Sequence, residues 1–197
     1  MKRFYITTSI PYANSLPHVG NVLDSLYADV LARYHRQRDW DVRFLTGTDE
    51  HGAKIARTAE AASLTPQELV DKNSAEFRSL KEILNLSWDD FIRTSDQKRH
   101  WPGAEKMWQV IQNNGDLYKK TYRGLYCVGH EAFVTEKDLV DGQCRDHQKE
   151  PEIIEEENWF FRLSKYSESI QALISKNEVR IIPETRKNEI SALIKDG

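Results

Sequence analysis

The sequence predicts an α/β fold in which a parallel sheet carries the functional site and a small metal-binding segment follows it. Three observations support this prediction. A β-branched run at residues 4–8 precedes a turn-rich loop, a long helical pattern and a second strand pattern at residues 42–46. Strand, helix and strand in this order form a right-handed crossover, and hence a parallel sheet. Two Cys-x-x-His pairs then lie in a loop-rich segment, which is typical of a metal site.

The composition limits the classes of protein to which the chain can belong. Its 197 residues suffice for one large domain or for a domain with a small insertion. The net charge of −3 and the pI of about 6.1 provide no overall basic surface for nucleic acid. No apolar run is long enough to span a membrane, and the N-terminus lacks the pattern of a secretion signal. We therefore expect a cytoplasmic protein with no membrane partner. Its two cysteines argue against a disulfide framework.

The first helix is predicted from Val19 to near Gln37, so His18 and Gly20 lie at its start. Unpaired backbone N–H groups and the positive end of the helix dipole make such a start an anion site, and a phosphate is the expected ligand. His18 would add a side-chain donor there, and Gly20 would let a base or a ribose approach the backbone. The alternative is that both are ordinary helix-start residues.

The second strand leads into the segment Gly47-Thr48-Asp49-Glu50-His51-Gly52. Ligands of parallel sheets bind beyond the carboxyl ends of the strands, so this segment and the loop at residues 9–18 are expected to meet in one crevice. A carboxylate at Asp49 would bind the α-ammonium group of an amino acid. The alternative is that Thr48 or Asp49 caps a helix that begins near Glu50.

The remaining elements of the sheet domain follow from capping and strand patterns. Thr65 and Glu68 form a capping box for a helix that extends to residue 84. A third strand is predicted at residues 91–94, and a further helix after it ends near residue 114.

The composition changes from residue 116 onward. We predict there the two strands of a β ribbon at residues 117–122 and 124–127, and an acidic solvated linker at residues 150–157. A strand at residues 159–163 then precedes a helix that Ser164 caps and that carries Ile170, Leu173 and Ile174. A last helix covers residues 184–197 and ends at Gly197.

The two Cys-x-x-His pairs are Cys127 with His130 and Cys144 with His147. Together they give four soft or borderline ligands with the spacing of a metal knuckle, at about residues 126–148. Zinc suits this set, because tetrahedral sulfur and nitrogen coordination needs no particular d-electron geometry. Four protein ligands leave no open position, so we expect a structural ion. The alternative is that each pair is accidental.

Several motifs together resemble the class I aminoacyl-tRNA synthetases, in particular the methionyl-tRNA synthetases. They are Tyr5-Ile6-Thr7-Thr8, Pro11-Tyr12-Ala13-Asn14, Pro17-His18-Val19-Gly20 and the run from Phe44 to Gly52. The resemblance covers essentially the whole chain. The family signature is His-Ile-Gly-His, so this chain departs from it conservatively at Val19 and more strongly at Asn21. The Asn21 side chain donates a hydrogen bond but carries no charge.

The resemblance implies a domain organisation. Residues 1–115 would form the N-terminal half of a Rossmann-like nucleotide-binding catalytic domain, and residues 116–197 a connective-peptide domain with a zinc knuckle. A second catalytic half with a Lys-Met-Ser-Lys-Ser loop and an anticodon-binding domain would be needed as well, either in cis or as a second chain. Because these residues lack both, we expect them to be catalytically poor alone, whether they are a truncation or part of a split protein.

The resemblance also implies the reaction and its residues. Methionine would be activated by ATP to methionyl-adenylate and transferred to tRNA(Met), with Mg²⁺ accompanying the ATP. His18 and Asn21 would be the catalytic positions, and Gly20 would join them in binding ATP. The residues implied for methionine binding are Ser9, Ile10, Tyr12 and Asp49. The family more often has Cys at the position of His130, so the zinc set here would be Cys2His2.

Two other functions remain open from the sequence. The chain could be a catalytically incomplete synthetase half that acts as a zinc-bearing docking module. It could also belong to another adenylyl-transferring enzyme of the same superfamily.

Overall fold

The computed structural model describes residues 1–130 and 132–196, which pack as two compact units. The first unit contains Met1–Lys106 and Gly124–Ile153, and the second contains Met107–Arg123 and the chain from Ile154 onward. Among the described residues, no helix combines the length and the apolar character needed to cross a bilayer. The domain boundary that the sequence suggests between residues 115 and 116 stays a prediction.

A three-stranded parallel sheet forms the centre of the first unit, as predicted. Its strands lie side by side in the order β1, β2, β3. They are β1 (Arg3–Thr7), β2 (Asp41–Thr48) and β3 (Asp90–Arg93). The connecting helices are α1 (Val19–Arg36) between β1 and β2, followed by α2 (Ala53–Ala61) and α3 (Pro66–Ile83) between β2 and β3. The predicted order of strand, helix and strand is therefore confirmed, and so is the capping box of α3, in which Glu68 N–H donates to Thr65 Oγ1.

The strand register places two loop residues side by side at the carboxyl edge of the sheet. Thr7 at the end of β1 lies opposite Leu45, whereas Thr48 at the end of β2 lies opposite Arg93 at the end of β3. Asp49 and Thr94 are the next residues of their chains, so they leave neighbouring strands at the same level. Gly47 allows this close pairing, because a Cβ atom there would overlap the backbone carbonyl of Ile92.

Two clusters of apolar side chains hold the helices against the sheet. Phe44 of β2 is fully buried at the centre of the first, which packs between α1, α3 and β3. Its other buried members are Ala28, Ala32, Phe77, Leu86, Trp88 and Phe91. The second cluster consists of Ala13, Ile55, Ala59, Leu69 and Val70, and it attaches α2 and α3 to the loop after β1. The loop that carries the predicted site is thus anchored by Ala13.

The apolar pattern of α1 has an unexpected orientation. Its small residues face the core, whereas a stripe of larger apolar side chains is exposed in the described residues. The stripe consists of Val19, Leu23, Tyr27, Val30 and Tyr34. The helical period was predicted correctly, but the face that packs on the sheet is the one with alanine, because small side chains allow the helix to approach the strands closely.

The elements after β3 differ from the prediction in part. They are α4 (Trp101–Asn113), β4 (Leu117–Cys127), β5 (Ala132–Val134), β6 (Leu139–Val140), β7 (Gln143–Cys144), β8 (Glu152–Phe161), α5 (Ser167–Ser175) and α6 (Glu184–Asp196). Gly124 lies inside β4, so the ribbon predicted as two strands is one continuous strand. Ser164 does not cap a helix as predicted; it lies in a 3₁₀ turn, Leu163–Tyr166, that precedes α5.

The prediction of an acidic solvated linker at residues 150–157 was wrong. Most of this segment belongs to β8. Its carboxylates meet basic side chains of β4, since Glu157 accepts from Lys119 at 2.6 Å and Glu155 lies 3.8 Å from Arg123. These cross-strand pairs of opposite charge offset the repulsion among the carboxylates of β8 and so stabilise the strand.

Candidate functional site

The start of α1 is closed by two reciprocal hydrogen bonds. His18 is the N-cap residue, and its Nδ1 accepts a hydrogen bond from the Gly20 N–H at 3.1 Å. Asn21 Oδ1 in turn accepts from the His18 N–H at 3.1 Å. Because Nδ1 acts as an acceptor, a neutral His18 ring carries its proton on Nε2, which is then a donor for a ligand. Among residues 1–130 and 132–196, the Asn21 amide NH₂ group donates to no partner. A Cβ on Gly20 would lie 3.0 Å from the His18 ring, so glycine gives the ring its room.

The loop after β1 is tied to the same helix through Asp24. Asp24 Oδ2 accepts hydrogen bonds from the Ser9 N–H at 3.0 Å and from the Ser9 hydroxyl at 2.7 Å. Ser9, Asn21 and Asp24 line a small cavity of about 20 Å³ together with Thr46 and Gly47 of β2. Sequence reasoning missed Asp24, because a polar residue on an amphipathic helix gives no signal of which loop it contacts.

Tyr12 and Asp49 form an isolated parallel bridge between the loops that follow β1 and β2. The Ala13 N–H donates to the Asp49 carbonyl and the Asp49 N–H donates to the Pro11 carbonyl, each at 2.9 Å. The Tyr12 ring is 41% exposed, and the Lys54 ammonium lies 5.7 Å from its centre. The bridge therefore presents an aromatic face and a carboxylate from adjacent backbone positions.

The alternative that Thr48 or Asp49 caps a helix is wrong. α2 begins at Ala53, and its N-cap residue is Gly52, with a φ of 108°. The Thr48 hydroxyl instead donates to Glu50 Oε1 at 2.7 Å. The backbone of Asp49 pairs with that of Tyr12, three residues before this N-cap, so the Asp49 side chain does not cap the helix.

Glu50 is a buried carboxylate beneath this loop, and its side chain is fully enclosed. Oε1 accepts from Arg93 Nε at 2.7 Å as well as from Thr48, and Oε2 accepts from the Ser95 hydroxyl. Arg93 also donates to Asp71 at 2.5 Å. The Glu50 carboxylate raises the pKa of Arg93 above its ordinary value, although burial opposes this change. A buried charge with this many partners holds the loop in one conformation.

Thr94 joins β3 to the same loop. Its hydroxyl oxygen accepts from the Glu50 N–H at 2.8 Å, and its hydroxyl proton is donated to Asp49 Oδ1 at 3.4 Å. Its carbonyl oxygen accepts from His51 Nε2 and from Trp101 Nε1, each at 3.1 Å. The sequence analysis assigned no role to Glu50 or Thr94. Glu50 on one side and Arg93 and Thr94 on the other are about 45 positions apart in the sequence, and only the strand register brings them together.

The four predicted metal ligands converge on one point. The ligand atoms of Cys127, His130, Cys144 and His147 all lie within 4.8 Å of one another. Three sulfur–nitrogen distances are 3.5, 3.5 and 3.7 Å. A tetrahedral ion with ordinary metal–sulfur and metal–nitrogen bonds requires such edges of about 3.6 Å. The residues therefore fit a single ion, and the cluster can hold a metal.

The backbone around the cluster is built for close approach. β6 and β7 are joined by Asp141 and Gly142, both with positive φ, and this tight hairpin places Cys144 in its second strand. A Cβ on Gly129 would overlap the His147 ring, so only glycine leaves space for that ligand.

The charges of the cluster favour an ordered ligand set. His130 Nε2 lies 2.9 Å from Asp146 Oδ2, and this contact orients the ring and raises the pKa of His130. Burial acts to raise the pKa of the Cys127 thiol, but hydrogen bonds from the backbone N–H groups of His130 and Gly129 and from the Cys144 and His130 side chains outweigh it and lower the pKa. A lowered thiol pKa favours the thiolate that metals bind.

The structure thus brings the sequence-predicted residues together in three groups. The first group is His18, Gly20 and Asn21, the second is Tyr12 and Asp49, and the third is the Cys and His cluster. Ser9 lies beside Asn21 in the small cavity, and Ile10, which follows it, is 37% exposed.

Comparison with known proteins adds independent findings. The family described as tRNA synthetases class I (M) matches residues 4–148 and 134–197 of the chain. Methionine–tRNA ligase of Brucella suis is 42% identical over the whole chain, and that of Streptomyces coelicolor is 43% identical over the whole chain. Methionine–tRNA ligase of Bacillus subtilis is 43% identical over 98% of the chain.

A solved structure of a methionyl-tRNA synthetase is similar in fold to this chain. Methionyl-tRNA synthetase of Mycobacterium tuberculosis in complex with methionyl-adenylate superposes on the whole chain with a TM-score of 0.93 and 40% sequence identity. The chain spans 39% of the length of that protein, 39% of the Brucella relative, 38% of the Streptomyces relative and 31% of the Bacillus relative.

Proposed function

Because the chain belongs to the class I tRNA synthetase family (M), we propose that the protein carrying it activates methionine with ATP and transfers the methionyl group to tRNA(Met) in translation. The observation that carries this proposal is the Tyr12–Asp49 bridge. It places a carboxylate and an aromatic ring at the carboxyl edge of a parallel sheet, in the same compact unit as the helix start at His18. Open α/β sheets bind their ligands at this edge.

Asp49 and Tyr12 hold the amino acid in this proposal. The Asp49 carboxylate pairs with the methionine ammonium group, and this charge-assisted hydrogen bond selects for a free amine. The half-exposed Tyr12 ring supplies an apolar surface for the substrate. Ser9 and Ile10 line the pocket from the loop after β1, which Asp24 fixes to α1. The amino acid is thus oriented with its carboxylate free to react.

The start of α1 holds the ATP phosphates. The positive end of the helix dipole and the His18 Nε2–H face the developing negative charge of the phosphates. Gly20 lets the adenosine approach the backbone, and the Asn21 amide donates a neutral hydrogen bond where the family signature has histidine. Mg²⁺ bound with ATP neutralises part of the triphosphate charge.

The chemistry needs no nucleophilic side chain. A methionine carboxylate oxygen forms a bond to the α-phosphorus while the bond from that phosphorus to the pyrophosphate oxygen breaks. A hydroxyl of the 3′-terminal ribose of tRNA then attacks the methionyl carbonyl carbon, loses its proton, and AMP leaves. The protein contributes positioning and stabilisation of charge.

The Cys and His cluster holds a structural zinc ion in this proposal. Two thiolates and two imidazole nitrogens complete a tetrahedron, so no position remains for a substrate. When bound, the ion cross-links a segment whose strands β6 and β7 have only two residues each. Such short strands bury little apolar surface, and metal binding supplies the folding free energy instead.

Amino-acid-dependent exchange of pyrophosphate into ATP tests the proposal. The protein is purified as its gene encodes it and is tested with each of the twenty amino acids. We expect exchange with methionine, a large loss in Asp49→Asn and His18→Ala, and no loss in the control Asp39→Asn. Asp39 is an exposed turn residue at the opposite end of β2 and has a positive φ that asparagine tolerates.

The other outcomes identify the alternatives. Exchange that depends on a different amino acid would favour another adenylyl-transferring enzyme. The absence of exchange with every amino acid, together with tight binding of a second chain, would favour a docking module.

A further inference from the structure

We propose that Thr94 is a positioning residue for the amino-acid substrate, because its hydroxyl group fixes the Asp49 carboxylate that receives the substrate ammonium group. This inference rests on the proposed function, since it concerns the same site. Thr94 makes hydrogen bonds to Asp49, Glu50 and His51 of the loop after β2, and it is only 9% exposed.

The backbone of Thr94 is locked on both sides. Its N–H donates to the Thr48 carbonyl at 3.2 Å, which extends the pairing of β2 with β3 by one residue. Its carbonyl oxygen accepts two hydrogen bonds, from the His51 and Trp101 rings. A carbonyl can only accept, so the His51 proton on this side is on Nε2. The hydroxyl group therefore projects from a backbone that cannot rotate freely.

The direction of the Thr94 hydroxyl proton is determined by its neighbours. The Glu50 N–H points at Oγ1 from 2.8 Å, so that oxygen is the acceptor in this contact. The proton of the hydroxyl must then point elsewhere, and Asp49 Oδ1 lies 3.4 Å away. One hydroxyl group thus links the buried Glu50 backbone to the Asp49 side chain.

This link has a consequence for binding. A carboxylate on a loop has two χ angles to lose when it pairs with a ligand, and a partner that already holds one oxygen reduces that loss. Oδ1 is held by Thr94, so Oδ2 is the oxygen left to face the ammonium group. Removing the hydroxyl should therefore weaken the binding of a ligand with an amine more than the binding of a ligand without one.

The test compares two ligands and several variants by isothermal titration. The ligands are methionine and 4-(methylsulfanyl)butanoate, which is methionine without its amino group. The protein is used as its gene encodes it. Thr94→Val removes the hydroxyl at constant shape, and Thr94→Ser keeps the hydroxyl. Thr58→Val is the matched control, because the Thr58 hydroxyl donates within α2, to the Lys54 carbonyl at 2.8 Å.

We expect Thr94→Val to lower the affinity for methionine by roughly fivefold, the net value of an ordinary hydrogen bond, because the contact with Asp49 Oδ1 is long at 3.4 Å. Its affinity for the analogue should not change, Thr94→Ser should bind methionine almost as the unaltered protein does, and Thr58→Val should bind both ligands normally. Equal methionine affinity in Thr94→Val would overturn the inference. An equal loss for both ligands would also overturn it, since Thr94 would then support the pocket as a whole.

Two further variants keep the test decisive. Valine places a methyl group against the Glu50 N–H, so Thr94→Ala provides the same comparison if the valine variant does not fold. Asp49→Asn separates the inference from the proposed function. If Asp49→Asn binds methionine normally, Asp49 does not receive the amine and the proposed function fails at this residue. If Asp49→Asn loses affinity and the Thr94 variants do not, only the inference about Thr94 fails.

Discussion

Asp49 pairs with Tyr12 through the backbone and with Thr94 through its side chain, so the loops that follow all three strands of the parallel sheet meet at one carboxylate. None of these contacts joins residues that are close in sequence. Tyr12 lies in the loop after β1, Asp49 follows β2, and Thr94 follows β3. The site is therefore a product of strand register, and changes that disturb the register should disturb the site.

Gly47→Ala tests this dependence on register. A Cβ at this position overlaps the Ile92 carbonyl, so β2 and β3 must separate just before Asp49. We expect a loss of stability of roughly 1–3 kcal/mol, as for other overpacked cores. Thermal unfolding measures it. Gly103→Ala is the matched control, because nothing lies within 4 Å of a Cβ there, and alanine favours the α4 helix. Equal stability of the two variants would contradict the close pairing.

Arg93→Met tests the buried ion pair beneath the loop. Glu50 is fully enclosed, and this change leaves its carboxylate without its cation. Breaking a buried pair from one side costs roughly 3–5 kcal/mol. The double variant Glu50→Gln with Arg93→Met removes both charges, so we expect it to regain a large part of that stability. Denaturant unfolding of the two variants checks this, and a double variant as unstable as the single one would refute it.

Gly129→Ala tests the geometry of the metal cluster. The new methyl group overlaps the His147 ring and must displace it from the other three ligands. We expect the affinity for zinc to fall by at least about tenfold, the range seen when a metal site loses ligand order. Competition with a chelating dye measures the affinity. Gly103→Ala again serves as the control and should bind zinc normally; the same affinity in both variants would mean that His147 is not a ligand.

The stability of the second unit should depend on pH, because the Asp116 carboxylate becomes protonated in acid. This carboxylate is fully buried, and Lys165 and then Tyr166 donate hydrogen bonds to it, which lowers its pKa from the ordinary value of 3.8. A lowered pKa in the folded state contributes stability that is complete above the ordinary value and is lost as the pH falls below it.

Asp116→Asn removes this contribution at every pH. The variant should therefore be less stable than the unaltered protein at neutral pH, and its stability should change less between pH 5 and pH 2, a range of about three pH units around the ordinary pKa. Thermal unfolding as a function of pH measures both effects. Parallel curves for the two proteins would show that Asp116 does not titrate below its ordinary range.

The sequence predicted the features that local chemistry determines. The helical period of α1 and the Thr65–Glu68 capping box each depend on residues a few positions apart, and both are present. The spacing of the cysteine and histidine pairs likewise predicted a cluster, and the four side chains do converge.

The failures have a common physical cause, which is a partner far away in sequence. The acidic composition of residues 150–157 predicts a solvated linker, because the basic partners of this segment, Lys119 and Arg123 of β4, lie more than 30 positions away in the sequence. Thr48 and Asp49 were weighed as helix caps, because the Tyr12 bridge that keeps Asp49 extended could not be foreseen. Thr94 was overlooked for the same reason, since only the register of β2 with β3 brings it to Asp49.

A crystal structure of the protein with bound methionine tests the central claim most directly. The claim is that the carboxylate beside the Tyr12 bridge receives the substrate amine. We expect the methionine nitrogen at about 2.7–2.9 Å from Asp49 Oδ2, the distance of a charge-assisted hydrogen bond, with Thr94 still bonded to Oδ1. A methionine bound with its amine directed away from Asp49, or bound outside the crevice between the loops after β1 and β2, would contradict it.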